Sequence, residues 1–160
     1  MSYKLIVLAP SCGGKSSLMR YLRENTHLEI AETDEEVMKA NNDVWPDDDL
    51  KNKVLVPQTT REIIARDRVV YFASYIPTGL LKEAAEKGVM ITVLQLSLDE
   101  LLRRNTKRMN EEGYDDVSQW LKGQLANFKQ LADDGLVNHK LNGNQPIENV
   151  AAEILELVKV

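Results

Sequence analysis

The chain has 160 residues, of which 43% are hydrophobic and 28% charged, with 25 acidic and 20 basic side chains and a formal net charge of −5. That length builds one core of ordinary size and not two comfortable ones. The acidic balance argues against a general electrostatic affinity for nucleic acid, no apolar run approaches the roughly 18 residues that span a bilayer, and a lone cysteine, Cys12, excludes an internal disulfide. With no basic-then-apolar leader at the start, the expectation is a cytoplasmic protein with neither a nucleic-acid nor a membrane partner.

Tyr3 to Ala9 (YKLIVLA) is nearly continuous in apolar residues, the pattern of a parallel strand buried on both faces. A helix is expected from about Lys15, with Leu18, Tyr21 and Leu22 on one stripe. Between them runs Ala9-Pro10-Ser11-Cys12-Gly13-Gly14-Lys15-Ser16. It meets the phosphate-loop pattern G-x-x-x-x-G-K-[ST], between strand and helix, at every point but the first residue. Alanine there matters only if the backbone angles or close packing exclude a methyl group. In such a loop the backbone N–H groups from Ser11 to Ser16 face inward and cradle nucleotide phosphates, aided by the helix N-terminus. Lys15 contacts the β- and γ-phosphates, and Ser16 ligates magnesium. The expected nucleotide-binding set is therefore Ser11, Cys12, Gly13, Gly14, Lys15, Ser16 and Ser17. The competing reading is an ordinary strand-to-helix turn with an exposed lysine. Cys12 is either a small filler or a thiol made more acidic by the helix N-terminus.

His27 to Glu32 reads as a second strand, and Asp34-Glu35-Glu36 places acids in the first turn of a short helix. In the stretch 42–56 and just beyond, Pro46 and Pro57 forbid one continuous helix; Pro57 suits the first turn of a helix running to about Asp67. Arg68 to Tyr75 is a strand, Pro77 to Lys87 a helix ended by Gly88, and Val89 to Leu96 another buried strand. Ser97 and Glu100 have capping-box spacing for a helix running to about Glu112. A further helix follows Asp115-Asp116 and ends near Gly135, with Trp120, Leu121, Leu125, Phe128 and Leu131 as its core stripe. Leu136 to Leu141 is a short last strand, and Ile147 to Val158 an amphipathic helix. Five strands alternating with helices predict a three-layer α/β/α sandwich around a mainly parallel five-stranded sheet. His27 and His139 stand apart from each other and from Cys12, which argues against a metal site built on them.

A near-N-terminal A-x-x-x-x-G-K-S loop, about 160 residues and five strands resemble the P-loop small-molecule kinases, the group of nucleoside-monophosphate, shikimate and gluconate kinases. The GTPase motifs D-x-x-G and N-K-x-D have no counterpart in a suitable place. The resemblance implies the strand order 2-3-1-4-5 and one kinase-like domain over residues 1–160. It also implies an acceptor-binding region at about 32–67, an arginine-bearing mobile lid at about 103–116, and ATP and Mg2+ as cofactors. The implied activity is transfer of the γ-phosphoryl group to a small-molecule acceptor.

The same resemblance carries over to particular residues. Glu32-Thr33-Asp34 has the spacing of the shikimate kinase D-x-D. Asp34 then binds and orients the acceptor hydroxyl, as general base, and Glu32 acts through magnesium-bound water; alternatively these acids only favour a helix start. The strand RVVYFASYIP ends on Ser74, a small residue as in shikimate kinase-like chains, where many P-loop enzymes carry an acid. Arg104 and Arg108 share a helix face and resemble lid arginines that neutralise the transferring group, completing a catalytic set of Lys15, Asp34, Arg104 and Arg108; a solvated basic face is the alternative. Arg61 resembles the arginine that contacts the acceptor carboxylate, although its flanking phenylalanine and glutamate are missing. The acceptor stays open between a shikimate or sugar-acid type and a nucleoside or nucleotide, for which Arg61, Arg66 and Arg68 would supply phosphate contacts. A nucleotide-binding regulatory or interaction module without transfer activity is the other function class, and the missing strand-end acid leaves room for it. The oligomeric state is not legible.

Overall fold

The longest apolar runs form the middle of the sheet. β1 (Tyr3–Leu8) pairs in parallel with β3 (Arg68–Ala73) on one side and with β4 (Met90–Gln95) on the other. β2 (Ile30–Glu32) and β5 (His139–Asn142) form the edges, giving a five-stranded, all-parallel sheet in the order β2-β3-β1-β4-β5. This is the architecture expected from the alternation of strands and helices, and the order that the resemblance implies. The computed structural model describes residues 2–159.

Alternation along the strands sorts the core into two layers. Leu5, Val7, Val70, Phe72 and Leu94 turn to one face, which α1 (Lys15–Asn25) and α8 (Ile147–Val158) cover with Leu18, Leu22, Val150, Ala151 and Ile154. Ile6, Leu8, Tyr71, Ile91 and Val93 turn to the other, covered by Ile63 and Ile64 of α4 (Val56–Ile64) and Leu80, Leu81 and Ala84 of α5 (Thr78–Glu86). Burial on both faces is why these strands read as unbroken apolar runs. Thr92, fully buried in β4, keeps its hydroxyl satisfied on the Ile6 carbonyl at 2.8 Å.

Two expectations need correction. Pro57 does sit in the first turn of α4, but the backbone does not break ahead of it. α3 (Asp48–Leu50), a π-helical turn (Lys51–Leu55) and α4 follow one another with right-handed helical angles at the junctions. Proline lacks an N–H, and in a regular α-helix its ring meets the carbonyl four residues back. The wider π turn, in which the Val56 N–H reaches the Lys51 carbonyl, relieves that conflict. Second, Trp120 is not core. On α7 (Ser118–Asp133), Leu121, Phe128 and Leu131 are buried while the Trp120 side chain is 53% exposed.

Parallel strands bring their carboxyl ends to one edge of the sheet. Leu8 lies beside Ala73 and Glu32 beside Phe72, so the segments after β1, β2 and β3 leave the sheet side by side. Crevices at this edge are where open α/β sheets bind ligands.

Candidate phosphate-binding and acceptor site

The loop after β1 closes on itself, with the Gly13 N–H donating to the Pro10 carbonyl at 2.9 Å. A methyl group on Gly13 would stand 2.8 Å from that carbonyl oxygen, and Gly14 has φ +86°, so glycine is demanded at both positions. Cys12 also takes a left-handed conformation, at φ 64°. Ala9 does not. Its side chain is fully buried and its N–H donates to the Ala73 carbonyl at 2.9 Å. The departure from the motif thus falls where backbone geometry asks nothing of glycine.

Not every N–H from Ser11 to Ser16 is open to a ligand. Ser11 donates its N–H to Gln124 Oε1 at 2.8 Å, Gln124 Nε2 donates back to Ser11 Oγ at 3.1 Å, and Gly13 is spent on Pro10. Among the described residues, the N–H groups of Cys12, Gly14, Lys15, Ser16 and Ser17 meet no intramolecular acceptor. α1 begins without a capping side chain and without an acid in its first turn. An uncapped helix N-terminus flanked by open N–H groups is the complement of an anion.

Around it lies a cleft of about 1480 Å³ that contains the loop, Glu32, Asp34, Ser74, Arg104 and Arg108. Lys15 extends across it, with Nζ 3.1 Å from Glu32 Oε1. Glu32, 5% exposed, ends β2 and caps α2 (Thr33–Ala40) by accepting the Glu35 N–H at 3.0 Å, so both its oxygens are engaged. Thr33 is anchored from beneath, its hydroxyl 2.9 Å from the Tyr71 hydroxyl. Burial pushes the Tyr71 phenol above its usual range, so it stays a neutral hydrogen-bonding group. Asp34 projects into the open part of the cleft, more than half exposed, with Lys51 Nζ at 3.8 Å. The Lys51 ammonium in turn stands 4.8 Å above the Trp45 ring.

The opposite wall comes from α6 (Leu98–Glu112), which Ser97 caps on the Glu100 N–H as its spacing predicted. Arg104 donates to Glu100 at 2.9 Å and to the Cys12 carbonyl at 3.4 Å. Arg108 reaches the Cys12 Sγ at 3.3 Å and lies 4.2 Å over the Tyr114 ring. Both arginines therefore stand against the phosphate loop. Hydrogen bonds from Arg103 and Arg104 hold the Glu100 carboxyl down at about 2. Residues 103–112 are the body of α6, so only residues 113–117 separate it from α7. Buried Asn105 pins that connection: Nδ2 donates to Asp116 at 2.8 Å and Oδ1 accepts the Val117 N–H at 3.0 Å.

Arg61 does not join the site. Its guanidinium makes two hydrogen bonds to Glu83 of α5, at 3.1 and 3.2 Å, on an exposed surface outside the cleft lining. Three participants escaped the sequence reading. Gln124 belongs to a helix read only for its apolar stripe. Arg23, paired with Glu35 at 2.6 Å, follows Ser16 by two helical turns and was within reach of a face argument. Asn105 had a signal too, a polar residue four positions after buried Leu101 on the inward stripe of α6.

The five-stranded parallel sheet and its flanking helices form a fold shared with solved kinase structures. No protein-family model matches the chain, and no curated protein matches it in sequence. Solved structures do. The chain is similar to shikimate kinase from Acinetobacter baumannii in complex with shikimate, at a TM-score of 0.73 and 18% identity over 98% of this chain and 93% of that one. Shikimate kinase from Aquifex aeolicus aligns at 0.71 and 16% identity over 96% and 95%. A gluconokinase from Sinorhizobium meliloti aligns at 0.67 and 19% identity over 98% and 91%.

Proposed function

We propose that this protein is an ATP-dependent phosphotransferase that moves the γ-phosphoryl group to a hydroxyl of a small molecule. The observation that carries the reading is the convergence of two half-sites on one cleft. An uncapped helix N-terminus with open N–H groups and Lys15 forms one half, and the exposed carboxylate of Asp34 forms the other. The fold supports it, since the solved structures it resembles are named as small-molecule kinases.

In this reading Cys12, Gly14, Lys15, Ser16 and Ser17 hold the donor's phosphates through their N–H groups. The Lys15 ammonium moves from Glu32 onto the β- and γ-oxygens. Asp34 orients the acceptor hydroxyl and takes its proton. The hydroxyl oxygen forms the new bond to the γ-phosphorus while the bond to the β,γ-bridging oxygen breaks, its electron pair leaving with ADP. Arg104 and Arg108, held on the loop through Cys12, spread the charge of the transferring group.

The donor set fits magnesium held mainly by phosphate oxygens and water. Ser16 offers a hydroxyl at the helix start, and Glu32, with both oxygens occupied, offers a water-mediated contact. When bound, the ion neutralises charge on the phosphate oxygens. Replacing Asp34 by asparagine separates binding from chemistry. It should lower kcat by about 10²–10⁴ while ATP affinity stays within twofold. An unchanged kcat would remove Asp34 from the reaction.

A further inference from the structure

We propose that the phosphoryl acceptor is a hydroxyl compound carrying no carboxylate or phosphate of its own, an inference that rests on the kinase reading. The acid excess of the chain is concentrated in the acceptor-side segment. Residues 32–67 hold ten of the 25 acids but five of the 20 bases, and the rest of the chain is balanced.

All five of those bases are already matched to acids. Lys39 lies 3.6 Å and Arg66 3.7 Å from Glu36, Lys51 lies 3.8 Å from Asp34, Lys53 lies 3.5 Å from Asp49, and Arg61 lies 3.1 Å from Glu83. Such partly exposed pairs break at little cost. Breaking one, however, uncovers its carboxylate in the same neighbourhood, so the local field stays negative. An incoming anion therefore gains no net counter-charge from any of them.

The other walls do not repair this. Arg23, the cleft cation nearest the acids of α2, is held on both oxygens of Glu35 at 2.6 and 3.1 Å. The α7 contribution to the loop, Gln124, is a neutral carboxamide. Among the described residues that line the cleft, the cations with no carboxylate partner are Arg20 and Arg108. Arg108 stands against the phosphate loop through the Cys12 Sγ and so serves the donor's phosphates, while Arg20 is an exposed residue of α1. Arg20 apart, unpaired positive charge thus lies against the phosphate loop and the excess of negative charge in the acceptor half. The pairing at Asp34 shows what the acceptor half accommodates: the Lys51 ammonium sits between that carboxylate and the Trp45 indole. Carboxylates and an aromatic face bind hydroxyl and amino groups, and repel anions.

A matched series of acceptors tests this on the unmodified protein. Glucose, glucosamine, gluconate and glucose 6-phosphate, with adenosine against adenosine monophosphate and glycerol against glycerate, are assayed for label transfer from γ-labelled ATP. ATP binding is measured in parallel by calorimetry. Transfer to neutral or amino members, with kcat/KM at least tenfold above their carboxylate and phosphate counterparts, is the expected result. Equal or better use of the anionic members overturns this inference and leaves the kinase reading standing. ATP binding without transfer to any member overturns the kinase reading and this inference with it.

Discussion

A methyl group at position 9 costs the loop nothing, because Ala9 keeps its N–H on β3 and its backbone out of the left-handed region. The glycine requirement sits at Gly13 and Gly14 instead. Ala9→Gly should therefore bring no gain in ATP affinity and should lower stability by about 0.4–1 kcal/mol through the freer unfolded chain. Gly13→Ala forces a methyl against the Pro10 carbonyl and should weaken ATP binding at least tenfold. Calorimetric titration with thermal unfolding checks both, and tighter binding by Ala9→Gly would show that the first-position glycine matters after all. Cys12 is the strained residue of the loop, since a left-handed backbone costs a non-glycine residue about 1–2 kcal/mol. Cys12→Gly should accordingly be about 1 kcal/mol more stable than Cys12→Ala. The strand-to-helix placement of the loop was legible because it follows from a few adjacent residues. Its lock on Gln124 was not, because Ser11 and Gln124 are 113 positions apart and nothing local in either marks the pairing.

At the scale of elements, strand interiors and caps were readable and interruptions were not. Ser97 and Glu100 announced α6, and Gly88 announced the end of α5, because caps follow from a few adjacent residues. Pro57 misled because a π turn accommodates a ring that a regular helix rejects. In the stretch expected as a lid, residues 103–112 are helical and the five residues that follow are held by Asn105. Asn105→Ala leaves the part-buried Val117 N–H without its acceptor and should cost about 1 kcal/mol, seen as a lower thermal midpoint. The arginine wall also carries a pH signature. The folded-state value of Glu100, about 2, lies below its ordinary 4.5. Its contribution to stability is therefore complete above the ordinary value and lost as the pH falls toward 2. Thermal midpoints from pH 6 to 2.5 should fall less steeply for Glu100→Gln than for the parent. Parallel curves would mean that the pairs with Arg103 and Arg104 add nothing to stability.

For the whole molecule, composition and alternation sufficed for the layers, since strands buried on both faces must be covered by helices on both sides. Strand order came from the resemblance rather than from spacing, and the sheet agrees with it. The acceptor side was least legible, because its character lies in which charges meet across the fold. Arg61 reads as a ligand contact in sequence and is an ion-pair partner of Glu83 in space. The account rests on Lys15 serving phosphoryl transfer in a cleft shared with Asp34. The most direct test is acceptor-dependent ADP release from Mg·ATP by the parent protein and by Lys15→Ala, across a panel of hydroxyl-bearing metabolites. The account predicts that at least one acceptor stimulates release by the parent, with stoichiometric phosphorylated product, and that Lys15→Ala lowers the rate at least a hundredfold. ATP binding with no acceptor-stimulated release, or equal rates for the two proteins, would contradict it.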